Sequence, residues 1–379
     1  MIKIDEITKV FRKNDIEFIS GVPDSIFKDL CLEFEKSFKR KHIVAANEGS
    51  SIGLAIGYHL VSNKIPIVYL QNSGLGNIIN PIASLASSKV YKIPMILIIG
   101  WRGEIKRNKQ LSDEPQHKDQ GMITTSMLKT INIKYKILNK KTNFKYIFSS
   151  LKREAIKSSK PVALLVRKNV FNNSIHDKKK FLKKNKKFFS REEALIALMR
   201  KIPKKIPKIS TTGMLSRELN EFNLINNVEK NTFMCVGGMG HAISIAAGIA
   251  SKKKGKVLCL DGDGAITMHL GALSTSAKMN NIIHVVFNND SHDSVGGQKT
   301  ASSGVEYYKI AKQLGYKYSK RVNDKKGLDL AIMNILKNKK SSFLEIICNK
   351  GNRFDLSRPK KNMLIYKKIF QKFLKYEAK

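Results

Sequence analysis

No part of the sequence is apolar for long enough to cross a bilayer. Its apolar runs, such as Pro94 to Gly100, have the length of a β-strand rather than the roughly 20 residues of a spanning helix. Cysteine is scarce too. The four present, Cys31, Cys235, Cys259 and Cys348, stand far apart and form no CxxC pair, which predicts reduced thiols in the core rather than a disulfide framework. The opening Met1-Ile2-Lys3-Ile4-Asp5-Glu6 carries charge where a signal peptide needs an apolar stretch, so a cytoplasmic protein is expected, with no membrane partner. Acidic residues are also few: 30 Asp and Glu face 70 Lys and Arg, a net charge of +40. So large an excess raises the question of nucleic acid. The excess is mostly lysine spread along the whole chain, without a zinc finger, an RNA-binding aromatic signature or an isolated recognition helix. A general lysine bias accounts for it, and nucleic acid is not an expected partner. The resulting field favours anionic substrates.

What is present is enough chain, 379 residues with 42% hydrophobic content, for two soluble domains. The segment Asp177 to Phe189 is dense in lysine, poor in glycine and without core periodicity, so it reads as a linker. On either side, short apolar runs alternate with amphipathic stretches, which predicts two α/β domains, each a doubly wound, mostly parallel sheet. Expected strands in the first half are Glu17–Ser20, Ile43–Ala46, Ile65–Leu70, Pro94–Gly100 and Val162–Arg167, with helices near Ser25–Lys39, Ser50–Ser62 and Gly76–Ser88. In the second half they are Lys208–Thr211, Lys256–Asp261, Ile282–Asn288 and Ser342–Cys348. Right-handed crossovers then gather the loops after the strand carboxyl ends on one edge of each sheet, where ligands of open α/β folds bind. The halves share no visible sequence repeat.

In the second half, Lys256-Val-Leu-Cys-Leu-Asp-Gly-Asp-Gly264 runs a buried strand into a Gly-Asp-Gly turn, and a helix and a further strand lead to Phe287-Asn288-Asn289. A hard cation takes oxygen ligands, and Mg²⁺ is usually held by few protein groups together with phosphate oxygens. Asp263 and Asn289, 26 residues apart, suit that task, because one helix plus one strand returns the chain to the same sheet edge. Gly264 allows close backbone approach, and the N–H groups of Gly264 and Ala265 at the helix start suit diphosphate oxygens. Thr212 and Gly213 open another helix after an expected strand and offer donors to the same group. In the first half, Ile43-Val-Ala-Ala-Asn-Glu-Gly-Ser-Ser51 ends a strand on Glu48 and enters a small-residue helix, which predicts a partly buried carboxylate.

The GDG turn, its spacing to the double asparagine and Glu48 together resemble the thiamine-diphosphate-dependent enzymes. That resemblance implies a pyrimidine-binding domain over residues 1–172, a linker over 173–190 and a diphosphate-binding domain over 191–379, with no middle domain. It implies thiamine diphosphate and Mg²⁺ as cofactors, the metal held by Asp263, Asn289 and the backbone carbonyl of Ser291. It assigns the Gly237 carbonyl to the pyrimidine amino group and Met239 to the side chain that bends the cofactor. Glu48 would bond the pyrimidine nitrogen and favour the reactive tautomer. Glu48 and the metal site that share one cofactor would come from different subunits, so a homodimer or larger homo-oligomer is implied.

Four stretches, Gly21-Val-Pro-Asp-Ser25, Gln71-Asn-Ser-Gly-Leu-Gly76, Trp101 to Gly121 and Asn289 to Thr300, resemble the phosphonopyruvate decarboxylases within that family. The implied reaction is decarboxylation of 3-phosphonopyruvate to phosphonoacetaldehyde and CO₂ in phosphonate biosynthesis. A small 2-oxo acid with a second anionic group calls for several hydroxyl, amide and imidazole donors. Ser25, Asn72, Ser294 and Gln298 are candidates to bind it, and His117 and His292 are candidate catalytic proton donors or orienting groups. Arg102 either meets the phosphonate or pairs with Glu104. A sulfopyruvate decarboxylase is the alternative, less favoured because such enzymes are often split into two subunits. A non-catalytic cofactor-binding paralogue would not need Glu48, Asp263 and Asn289 together.

Overall fold

The computed structural model describes residues 1–106, 109–171, 189–359 and 362–376. The chain divides into two compact units, Met1–Lys178 and Lys179–Lys379. The expected linker lies outside the described residues except for its last two, which already form a strand.

The first unit holds β1 (Ile19–Gly21), β2 (His42–Val44), β3 (Ile67–Gln71), β4 (Ile96–Gly100), a small hairpin of β5 (Ile105–Lys106) and β6 (Lys109–Gln110), β7 (Lys134–Leu138) and β8 (Val162–Val166). Its main sheet is parallel throughout, in the order β2-β1-β3-β4-β8-β7. Successive residues of a strand point to opposite faces, and here both faces are covered. Ile67, Tyr69, Ile96, Ile98, Val162 and Leu164 join one apolar cluster, while Val68, Leu70, Leu97, Ile99, Ala163 and Leu165 join the other. Double burial makes these central strands continuous apolar runs, which is why they are visible in the sequence.

The second unit holds β9 (Phe189–Ser190), β10 (Lys208–Ser210), β11 (Thr232–Met234), β12 (Val257–Gly262), β13 (Ile282–Asn288), β14 (Tyr318–Val322) and β15 (Ser342–Asn349). The order is β11-β10-β12-β13-β15-β14, again parallel, with β9 paired to the end of β15. Counted within each six-strand path, both sheets therefore follow the same topology, 2-1-3-4-6-5, although the halves share no visible repeat. Each has one switch point, between its first and third strands, where successive crossovers leave in opposite directions. A crevice opens there at the carboxyl edge. In the first unit the loops after Gly21 and Gln71 flank it, and in the second the loops after Ser210 and Gly262.

All nine expected strands are present within a few residues of their expected bounds. The main-sheet strands that the pattern did not predict, β7, β11 and β14, are all sheet edges. Lys134, Lys136, Lys320 and Arg321 on two of them break the apolar run, as charged side chains commonly do on edges. All four cysteines are buried and unpaired. Among the described residues no helix is long and apolar enough to cross a membrane.

Candidate active site

In the first unit the candidate carboxylate stands where a strand gives way to a helix. Asn47 caps the helix Glu48–Ser62, its side chain accepting from the Ser50 N–H. Glu48 is therefore the first helical residue, and it is 5% exposed. Its Oε2 accepts from Asn77 Nδ2 at 2.7 Å. Gly74 closes the other side: a Cβ there would lie 2.5 Å from Glu48 Oε1. The carboxylate is thus cradled by one amide and one missing side chain.

The switch-point loops of this unit carry Asp24, Ser25 and Asn72. Asp24 is fully buried; its Oδ1 accepts from Gln71 Nε2 at 2.8 Å, and its Oδ2 has no hydrogen-bond partner. A Cβ at Gly100 would sit 1.7 Å from that oxygen, so only glycine allows Asp24 its place. Burial raises the Asp24 carboxyl above the usual aspartate range, although Gln71 and Arg102 act in the other direction. Arg102 forks onto Asp113, with Nε–Oδ2 at 2.8 Å and Nη2–Oδ1 at 2.5 Å, and donates Nη1 to Ser25 Oγ at 3.2 Å. The expected partner Glu104 is instead 3.5 Å from Arg167. Burial works against ionisation of Asp113, but Arg102 and the Gly103 N–H prevail and hold it at about 2.

Asn72 is wholly buried, and its amide bonds the Arg102 carbonyl, the Arg102 N–H and Thr124 Oγ1 at 2.9, 3.1 and 2.9 Å. It staples the Arg102 loop to the helix Pro115–Thr130. His117 lies in the first turn of that helix, with Nδ1 buried and unpartnered. Burial, seconded by Arg102, lowers its pKa to about 4.

In the second unit, Asp263 opens a short helix directly after β12 and is 2% exposed. Thr300 Oγ1 donates to its Oδ2 at 2.5 Å. Burial, with Asp290 nearby, raises the Asp263 carboxyl to about 6 despite the Thr300 bond. The two asparagines that end β13 take different parts. Asn288 donates to Glu345 Oε1 at 2.8 Å and ties neighbouring strands together, whereas Asn289 donates to Asp293 Oδ2 at 2.7 Å. Both are buried, as is Ser291, whose hydroxyl has no partner. The His292 ring packs on the GDG turn, since a Cβ at Gly264 would meet its Cε1 at 2.8 Å. Burial lowers His292 to about 4. Near neutral pH both candidate histidines are therefore uncharged imidazoles, each still able to donate one N–H.

The remaining loops of this edge converge on the same turn. Thr211 continues β10 by donating its N–H to Leu260 O at 2.9 Å, and its buried hydroxyl has no partner. Gly213 has φ +104° and caps the helix Met214–Ile225; a Cβ there would be 3.7 Å from Ser294 Oγ. Gly240, at φ +89°, is pressed against the Asp263 helix, where a Cβ would lie 3.0 Å from Ala265 O. That contact brings the Gly237–Met239 loop to the GDG turn. Met239 is half-buried and joins none of the apolar clusters of the described residues, so its side chain is available to a ligand. Gln298 is buried, and Ser294 is exposed.

This donor set fits a metal-bridged diphosphate. It offers one buried carboxylate, a neutral amide, backbone N–H groups and the orphaned Thr211 and Ser291 hydroxyls, all oxygen or nitrogen groups suited to a hard cation and phosphate oxygens. Asp263, Asn289, Ser291 and the loops carrying Gly213, Gly237 and His292 are brought to one edge of the second unit, and Glu48, Ser25, Asn72 and His117 to the carboxyl edge of the first. Sequence reasoning missed Asn77, Asp24, Thr300, Asp293 and Arg191. Thr300 closes the stretch that begins at Asn289, but nothing local gives it a role, and Arg191 carries no signal at all.

Residues 4–127 match the thiamine pyrophosphate enzyme N-terminal TPP binding domain, and residues 211–346 match the C-terminal TPP binding domain of the same enzymes. Together these matches take in well over half of the chain. The sequence is 27% identical over 357 residues to a phosphonopyruvate decarboxylase of Streptomyces viridochromogenes, covering 90% of this chain and 87% of that one. A phosphonopyruvate decarboxylase of Streptomyces hygroscopicus is 28% identical over 357 residues, 90% of this chain and 86% of that one. A sulfopyruvate decarboxylase of Methanosarcina acetivorans is 25% identical over 370 residues, 92% of each chain.

Proposed function

This chain belongs to the thiamine pyrophosphate enzymes, and from that premise we propose that it is a carboxy-lyase that binds thiamine diphosphate with Mg²⁺ and converts 3-phosphonopyruvate to phosphonoacetaldehyde and CO₂, a step of phosphonate biosynthesis. The observation that carries the reading is the pair of matching half-sites, a cradled Glu48 in one unit and a buried Asp263 beside Asn289 in the other. Similarity to phosphonopyruvate decarboxylases along 90% of the chain supports the substrate.

The chemistry that thiamine diphosphate supplies when bound is nucleophilic addition to the 2-oxo carbon and acceptance of the electron pair released as CO₂ departs. The protein binds, orients and moves protons. Asp263, Asn289 and the Ser291 carbonyl hold Mg²⁺, while the Thr212–Gly213 turn and the Gly264 and Ala265 N–H groups hold the diphosphate. Gly237 and Met239 set the pyrimidine end. With Oε2 fixed by Asn77, Glu48 has Oε1 for the proton exchanged with the pyrimidine ring. His117 and His292 act as neutral imidazoles that orient the substrate by donating an N–H hydrogen bond; burial disfavours the imidazolium form that would be needed to protonate carbon near neutral pH. Ser25, Ser294 and Gln298 bind the anionic groups, and Asn72 acts through the Arg102 loop it staples. Two subunits supply the two ends of each cofactor, so the working form is a homo-oligomer.

Sulfopyruvate is the second reading, favoured by the Methanosarcina relative, which matches both halves as one chain. A single chain is therefore no argument for phosphonate over sulfonate. Purified protein with thiamine diphosphate and Mg²⁺, offered phosphonopyruvate, sulfopyruvate and pyruvate in parallel with aldehyde formation followed, decides. Phosphonopyruvate is expected to have the highest kcat/KM; a wide preference for either competitor overturns the assignment.

A further inference from the structure

Asn289 is the end of a buried polar chain. Its Nδ2 donates to Asp293 Oδ2 at 2.7 Å, and the same oxygen accepts from Arg191 Nη1 at 2.7 Å. Arg191, 7% exposed, is itself fixed by Glu218: Nε meets Oε2 at 2.9 Å and Nη2 meets Oε1 at 2.8 Å. The Gly351 N–H, 3.2 and 3.3 Å from the two Asp293 oxygens, completes the clamp. No part of the proposed catalytic chemistry uses Asp293, Arg191 or Glu218.

A primary amide has a donor end and an acceptor end, and a hard cation binds the acceptor end alone. A carboxylate facing the side chain decides which end is which. With the NH₂ group on Asp293, the Asn289 oxygen is left for a ligand; a turned-over amide would set its oxygen against the carboxylate. Arg191 has a second effect. Asp293 lies four residues from Asn289, and an unclamped carboxylate so near a divalent-cation site would compete to bind the ion itself. The guanidinium and the Gly351 N–H occupy it instead.

We infer that Asp293, clamped by Arg191, is a positioning residue that turns the Asn289 amide oxygen toward the divalent cation. This rests on the proposed role of Asn289 as a ligand of Mg²⁺. Outer partners of this kind typically change metal affinity 10- to 100-fold.

The test is calorimetric titration of Mg²⁺ into the full-length protein with saturating thiamine diphosphate, for the wild type, Asp293→Ala and Asp293→Asn. The asparagine variant keeps the volume and the Arg191–Glu218 pair, so it remains informative where the alanine variant fails to fold. The expected result is a Mg²⁺ Kd raised about 10- to 100-fold, with unchanged circular dichroism and with turnover restored to within a few-fold of wild type by saturating Mg²⁺. An unchanged Kd overturns the inference, and so does a loss of turnover that Mg²⁺ does not repair, which would mark a structural or direct catalytic role. A wild-type protein that takes up no Mg²⁺ overturns it through its premise, and is distinguishable because no difference between variants is then involved.

Discussion

At Glu48 a single glycine decides what the carboxylate can do. The ideal Cβ of residue 74 would come within 2.5 Å of Oε1 and 2.6 Å of the Cδ and Cγ of Glu48, atoms of a side chain that can swing away. Gly74→Ala is therefore expected to displace the carboxylate rather than unfold the loop: kcat/KM falls by an order of magnitude or more while the melting temperature stays within a few degrees. A large thermal loss with retained specific activity would contradict this. Glu48→Gln keeps the Asn77 contact in shape but replaces the carboxylate with a neutral amide, and the expected loss of turnover is at least the ~10²–10⁴-fold of a general acid–base group. Unchanged aldehyde formation would remove Glu48 from the mechanism. Glu48, Asp263 and Asn289 were legible because each stands within three residues of the end of an apolar run, so their place at a sheet edge could be read locally. Asn77 and Asp293 were not, because their function lies in a partner: Glu48 is 29 residues from Asn77, and Arg191 is 102 from Asp293.

The same distinction between local and distant information governs the elements. Central strands carry their own signature, while β7, β11 and β14 owe their strand conformation to a neighbour already in place and show little period of their own. The helix Arg191–Lys201 is a mixed case. Its start was open to local reading, since Ser190 and Glu193 form a reciprocal capping box. Its first residue nonetheless reaches Glu218 on the helix Met214–Ile225, and both side chains are almost fully buried. Removing one partner of a buried pair leaves an uncompensated charge, which typically costs about 3–5 kcal/mol, whereas apolar replacement of both is often near neutral. Arg191→Ala should accordingly destabilise the second unit by roughly that amount, and Arg191→Met with Glu218→Leu should recover only part of it, because the buried Asp293 carboxylate also loses its guanidinium. Urea unfolding of the wild type, Arg191→Met, Glu218→Leu and the double variant measures the difference, and additive losses in the double variant would refute the pairing argument.

For the whole molecule, two sheets of identical strand order put two carboxyl edges of the same design into one chain, a repeated topology invisible at the level of residues and visible only once the edge strands are in place. The proposed association of subunits has a candidate surface. Gly49, Gly53 and Gly57 recur every fourth residue of the helix Glu48–Ser62, and around the last two nothing beyond the helix's own adjoining backbone lies within 4 Å of where a Cβ would be. A groove of about 820 Å³ runs there, lined by Ile43, Val44, Leu54 and Tyr58, with Leu60 and Val61 exposed at the helix end. Glutamate at position 57 suits an isolated helix better than glycine, by up to ~1 kcal/mol, yet it charges the surface that a second copy is expected to cover. Gly57→Glu is thus expected to convert an oligomer into monomers by sedimentation, without loss of far-UV signal, and to abolish cofactor uptake; an unshifted oligomer would place the interface elsewhere. Acid sensitivity is the other global property. His42 is held by Tyr69 Oη at 2.8 Å, lies against the Phe34 ring, and is lowered by burial to about 4, as His117 is. Above pH ~6.5, the ordinary histidine value, the ring is neutral whether the chain is folded or not. Between there and pH 4 the unfolded chain takes up a proton that the folded one refuses, so stability rises with pH across this window and falls on acidification. His42→Gln removes one such proton and should flatten the loss between pH 7 and pH 4 by an amount on the order of 2–3 kcal/mol, since each tenfold change in proton affinity is worth about 1.4 kcal/mol; identical pH profiles of chemical unfolding for the variant and the wild type would show that the ring titrates normally in the fold.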